Sequence, residues 1–115
     1  MTHLHQTVWM VIVVTFGVVN SFAAGPVNSP LADAARNADW ARVQTSLDGG
    51  VDVTESQGDG STALHWAAHW DELDVATRLI AAGADVNVAT DLGVTPLWSA
   101  AENGSSTMVR RLLAA

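Results

Sequence analysis

This sequence predicts an all-α solenoid, in which stacked helix-turn-helix units are joined by hairpin-like loops. Three observations predict it. First, the chain falls into register with itself at a shift of 33 residues. Thr62-Ala63-Leu64-His65-Trp66-Ala67-Ala68 overlies Thr95-Pro96-Leu97-Trp98-Ser99-Ala100-Ala101, and Ser29-Pro30-Leu31-Ala32-Asp33-Ala34-Ala35 lies one period upstream. A fixed period of this length marks stacked supersecondary units, because one unit cannot bury its apolar face alone. Second, each motif opens on a hydroxyl residue, followed by proline in two of the three copies. Third, an apolar stripe at helical spacing follows the motif, and glycine closes it.

Each element follows from its residues in order. Val8 to Val19 is a nearly unbroken apolar run, followed by Asn20-Ser21-Phe22-Ala23-Ala24-Gly25-Pro26. That is the layout of a secretory signal peptide over residues 1–24, with Ser21-Phe22-Ala23 supplying the small residues of a cleavage point. The run is short for a permanent span, which needs roughly 20 apolar residues. The leading segment Met1 to Thr7 has no Lys or Arg, so an uncleaved signal anchor, and a start-site artefact or buried strand, stay open beside the cleaved signal. The expected location is secreted or periplasmic, or membrane-tethered if the anchor is retained. Residues 25–29 read as a short linker.

The folded region is expected over 30–115, with units at about 30–56, 57–89 and 90–115. In Ser29-Pro30 and Thr95-Pro96 the hydroxyl stands at a helix N-cap and proline at the first helical position, where its missing N–H has no intrahelical partner to lose. The first helices are thus expected at Pro30 to Asn37, Ala63 to His69 and Pro96 to Asn103. Helices this short are unstable alone, and the alanine pairs at 34–35, 67–68 and 100–101 let neighbours approach closely. The second helix of the middle unit reads Leu73 to Ile80, with Leu73, Ala76, Leu79 and Ile80 on one stripe. Gly83 then supplies the left-handed residue after its end. Asp85, Asn87 and Asp91-Leu92-Gly93 carry turn chemistry, as does Gly58-Asp59-Gly60 one unit earlier.

The register continues through Gly83-Ala84-Asp85-Val86, which pairs with Gly50-Val51-Asp52-Val53, and it needs no insertion between Ser29 and Ala115. Thr95-Pro96-Leu97 and Thr62-Ala63-Leu64-His65-Trp66-Ala67 keep most of a Thr-Pro-Leu-His-x-Ala signature, and on these residues the chain resembles the ankyrin repeat. The resemblance implies a protein that binds another protein through its concave face and finger tips, without catalysis. It also implies that His65 hydrogen-bonds within its loop and ties units together. The candidate recognition strip that follows from it comprises His69 and Trp70, their equivalents Arg36 and Asn37 and Glu102 and Asn103, and the turn-tip residues Asp59, Ser61, Leu92 and Val94. Asp71 stands where the family has glycine, which puts the geometry of that turn in question.

Charge narrows the partners. All twelve acids and all five arginines lie between Asp33 and Ala115, the net charge is -7 and lysine is absent. Nucleic acid and anionic membrane both need a cationic surface, so neither is an expected partner. There is no cysteine, which removes thiol catalysis and thiolate metal sites. His65 and His69 are one helical turn apart, an incomplete metal site because no further ligand accompanies them. No metal, cofactor or catalytic residue is expected. Trp40 reads as core or cap packing, and Trp66 and Trp98 as partly buried between units. Asp71, Glu72 and Asp74 read as acids favouring a helix start. Asn103-Gly104-Ser105 is a glycosylation triplet.

Terminal units of a solenoid differ from internal ones. The first looks like a polar cap, with Asp33, Arg36, Asn37, Arg42, Gln44 and Ser46. The last ends in Leu112-Leu113-Ala114-Ala115 with no polar cap. The expectation is a truncated piece of a longer array, or an open face covered by a partner or by self-association.

Overall fold

Ser29, Thr62 and Thr95 each turn extended backbone into a helix, and the three share φ values between -105° and -122°. The computed structural model describes residues 29–115; the expected signal peptide and most of the linker lie outside them. Six helices follow in order: α1 (Pro30–Arg36), α2 (Trp40–Asp48), α3 (Ala63–His69), α4 (Leu73–Ala81), α5 (Pro96–Glu102) and α6 (Ser106–Leu113). Helices α1, α3 and α5 stack as one layer, α2, α4 and α6 as a second, and each unit pairs one helix from each. Among the described residues the β pairing is a single antiparallel bridge, Ser56 to Thr62.

The caps work as the hydroxyl positions predict, with one variation. Ser29 Oγ accepts from the Ala32 N–H at 3.4 Å, and Thr95 Oγ1 from the Trp98 N–H at 3.1 Å. At Thr62 the direction reverses, because His65 Nδ1 accepts the Thr62 N–H at 3.0 Å. Asn37 and Asn103, expected as the last residues of their helices, stand just outside them as C-caps.

Each first helix ends in a Schellman motif, which satisfies carbonyls the helix would otherwise leave open. Asp39 N–H donates to Ala34 O at 2.9 Å and Ala38 N–H to Ala35 O at 3.0 Å; Glu72 to Ala67 and Asp71 to Ala68, then Ser105 to Ala100 and Gly104 to Ala101, repeat the pattern. The motif needs a left-handed residue. Gly104 takes it at φ 73°, Asp71 at 58° and Ala38 at 57°. Asp71 therefore preserves the turn its side chain put in question. The acids beside it do not cap: Glu72 is the N-cap of α4 but makes no side-chain bond there, whereas Asp39 and Ser105 do so at the equivalent places.

The core lies between the layers. Leu31, Leu64, Val43, Val75, Leu79 and Met108 are buried, with the alanines of α1, α3 and α5 between them. Val75 joins the stripe expected from Ala76 and Leu79, while Leu73 and Ile80 sit at its margin. Trp40 packs against the core from its edge, as expected. Among the described residues no helix is long and apolar enough to cross a membrane.

Candidate partner-binding groove

Two hairpin fingers stand over the layer of first helices. In the second unit Gln57 N–H bonds Ser61 O at 2.8 Å, and in the third Thr90 N–H bonds Val94 O at 2.9 Å. The fingers touch: Asp91 N–H donates to Asp59 O at 2.9 Å. Glycine is required here, since Gly60 has φ 89° and a Cβ on it would lie 3.3 Å from the Thr90 Cα.

His65 fastens the finger to the helix layer. It is buried at 4% exposure. Its Nδ1 accepts from Thr62, so Nε2 carries the proton and donates to Val94 O at 2.9 Å. Both nitrogens are engaged, and neither offers a lone pair to a metal. Burial holds the imidazole below its ordinary pKa, against the opposing pull of the Val94 and Val88 carbonyls and the Asp59 charge. Among the described residues no group of three or more His, Asp or Glu is placed to hold a metal ion.

Between the fingers and helices α3 and α5 runs a groove of about 250 Å³. It brings together six residues of the expected strip: Asp59, Ser61, His69, Leu92, Val94 and Glu102. Leu92 projects from its fingertip with 92% exposure. Its equivalent, Asp59, instead folds back to accept the Ser61 N–H at 2.9 Å, a bond that lowers its pKa and keeps it ionised. Trp66, Thr90, Trp98 and Ser99 also line the groove, though the strip did not include them. Trp98 is 52% exposed rather than partly buried between units. It occupies the signature histidine's place, and that substitution was the available signal.

Four strip residues lie elsewhere. Arg36 lines a neighbouring hollow of about 390 Å³ over α1, where Gln57 bridges Asp33 at 2.6 Å and Trp66 Nε1 at 2.9 Å. Asn37 lines a shallow hollow with Pro30, Asp39 and Arg42. Trp70 and Asn103 reach back to the unit before. Trp70 Nε1–H donates to Arg36 O at 3.3 Å, and Asn103 Nδ2–H donates to His69 O at 2.6 Å and Ala68 O at 3.0 Å. Both act as ties between units, while Trp70 keeps 47% of its surface exposed. His69 stands edge-on between Trp66 and Trp70, at centroid distances of 5.5 and 4.9 Å.

Stacked helix pairs under finger loops, with a groove along the shared face, define a repeat scaffold of the kind that recognises other macromolecules by shape. Residues 31–115 match the family model for three copies of the ankyrin repeat, and the chain belongs to that family. As a class these repeats are protein-binding modules. The chain is similar to probable E3 ubiquitin-protein ligase XBOS33 of Oryza sativa subsp. japonica, at 34% identity over 82% of this chain and 18% of that protein. It is similar to human ankyrin repeat domain-containing protein 40, at 35% identity over 58% of the chain and 18% of the relative. With human neurogenic locus notch homolog protein 1 the match is 49% identical over 36% of the chain and 2% of the relative. The crystal structure of the human ASB11 ankyrin repeat domain superposes with a TM-score of 0.68 at 33% identity, covering 76% of this chain and 39% of that one. The chain thus spans less than a fifth of the length of these curated relatives.

Proposed function

We propose that this chain is an exported, non-catalytic adaptor that binds another protein in the groove between its fingers and helices α3 and α5. The observation that carries the reading is exposed apolar surface on a braced frame. Leu92 and Trp98 stand open at a groove whose backbone is fastened by His65 and by the bond between fingers. Large exposed aromatic and aliphatic side chains beside such a frame are the anchors that protein partners use. The similar rice ligase gives no reason to seek catalysis here, since this chain spans 18% of that protein and its own residues 31–115 are repeat sequence. Export rests on the apolar run at Val8 to Val19. N-terminal sequencing of the mature protein should begin near Gly25, and an intact Met1 on membrane-bound material would mean a retained anchor. Affinity capture from the envelope fraction should recover a partner that Trp98→Ala and Leu92→Ser both release. Recovery unaffected by either substitution would refute the groove.

A second reading has its own observation. His65 is 4% exposed under the third unit, while its equivalent Trp98 is 52% exposed, and Leu113 is 66% exposed. Under this reading the chain is a segment of a longer array or multidomain protein, or associates with itself through that face. The length of the full reading frame separates a longer protein from self-association.

A further inference from the structure

The charges lining the groove are one-sided. Asp59 and Glu102 carry the fixed charges among its lining residues, and no arginine joins them. Of the two histidines there, His65 has its nitrogens committed to Thr62 and Val94, and His69 is flanked edge-on by two tryptophans. Apolar surface lies alongside, in Leu92, Val94 and Trp98. The last residues of α1, α3 and α5 are Arg36, His69 and Glu102. Arg36 lies outside the groove, in the neighbouring hollow with Asp33 and Asp59, while the apolar residues stand on the side of Glu102.

We infer that the groove takes a peptide segment in which an aliphatic or aromatic side chain neighbours an arginine or lysine. The apolar side chain lies against Leu92 and Trp98, and the cation against Glu102 and Asp59. A cation over the Trp98 ring is attracted by its face, and ionised carboxylates strengthen hydrogen bonds from a guanidinium or ammonium. An acidic segment would meet like charge at Glu102 and Asp59, which disfavours it. The inference rests on the groove being the partner-binding face.

A random short-peptide display library, panned on the folded chain and followed by fluorescence anisotropy of the enriched peptides, tests both levels. Enriched peptides should carry the cation beside an apolar residue. Trp98→Ala and Leu92→Ser should each weaken their binding by about tenfold or more, and Glu102→Arg by about tenfold, with affinity falling as salt rises. Arg111→Ala should leave affinity within about twofold, because it stands on α6 outside the lining of the groove. Peptides that need Trp98 and Leu92 but lack a cation, or that ignore both Glu102→Arg and salt, overturn the inference and leave the groove standing. Peptides indifferent to Trp98 and Leu92, or no enrichment from a chain whose circular dichroism shows it folded, overturn the groove and the inference with it.

Discussion

At the scale of single residues, His65 is the side chain on which most else leans. It closes the N-cap of α3 and holds Val94 of the next finger. Removing it leaves a buried N–H and a part-buried carbonyl without partners, at about 2 kcal/mol. His65→Asn should lower stability by about that amount in urea unfolding at neutral pH. The pH dependence has a definite sign. The folded-state pKa lies below the ordinary value of 6.5 because of burial, so the unfolded chain takes up the proton first as the medium is acidified. The stabilisation is complete above about pH 6.5 and is lost as pH falls below it. Melting temperature should therefore drop with acidification in this window, and the gap between the natural chain and His65→Asn should narrow. A gap that widens on acidification would refute a neutral, buried His65. The bonding role was legible in the sequence through the signature motif. The acceptor, Val94, was legible only as a fingertip residue, because the register does not say how far one finger leans towards the preceding helix.

Among elements, the turns between paired helices hold the plainest opportunity for stabilisation. Ala38 sits at φ 57° in the place that Gly104 fills in the third unit. A side chain in this left-handed conformation costs roughly 1 kcal/mol relative to glycine. Ala38→Gly should raise stability by about that much, measured as an increase in urea midpoint. An unchanged or lower midpoint would mean the strain is relieved elsewhere. The C-caps carry the second prediction. Asn103 closes two carbonyls at the end of α3, and Asn103→Ala should cost about 1 kcal/mol. Most element positions were readable from the 33-residue period, since caps, alanine pairs and glycines recur with it. The clamps of Trp70 and Asn103 were not. Their contacts form only when successive units stack, and in the sequence both positions read as part of the recognition strip.

For the molecule as a whole, stacking is asymmetric. Arg78 joins α4 to α2 through Gln44 and through Asp48 at 2.8 Å, but both sides of this pair are partly open to solvent, so burial contributes more to the stack. In the third unit Trp98 and Leu113 stand open, whereas His65, the equivalent of Trp98 in the second unit, is buried. Under the self-association reading, sedimentation should show mass rising with concentration, and Leu113→Glu should abolish the rise without changing the helical signal. A single monomeric species at every concentration would remove that reading. The exposure of Trp98 was signalled in the sequence only by its place at the signature histidine's position, because tryptophan in a repeat motif is compatible with either side of a stack.

The bond between Asp91 and Asp59 and the clamps of Trp70 and Asn103 all run along the direction in which units succeed one another. A chain pulled lengthwise would load the two boundaries between units in series, like links rather than like the strands of a rope. Each boundary must then yield separately. Under tension this protein should lengthen in steps, one for each boundary: the first is held by the Trp70 indole, by Gln57 on Asp33 and by Arg78 on Gln44 and Asp48, the second by Asn103, His65 and the joined fingers.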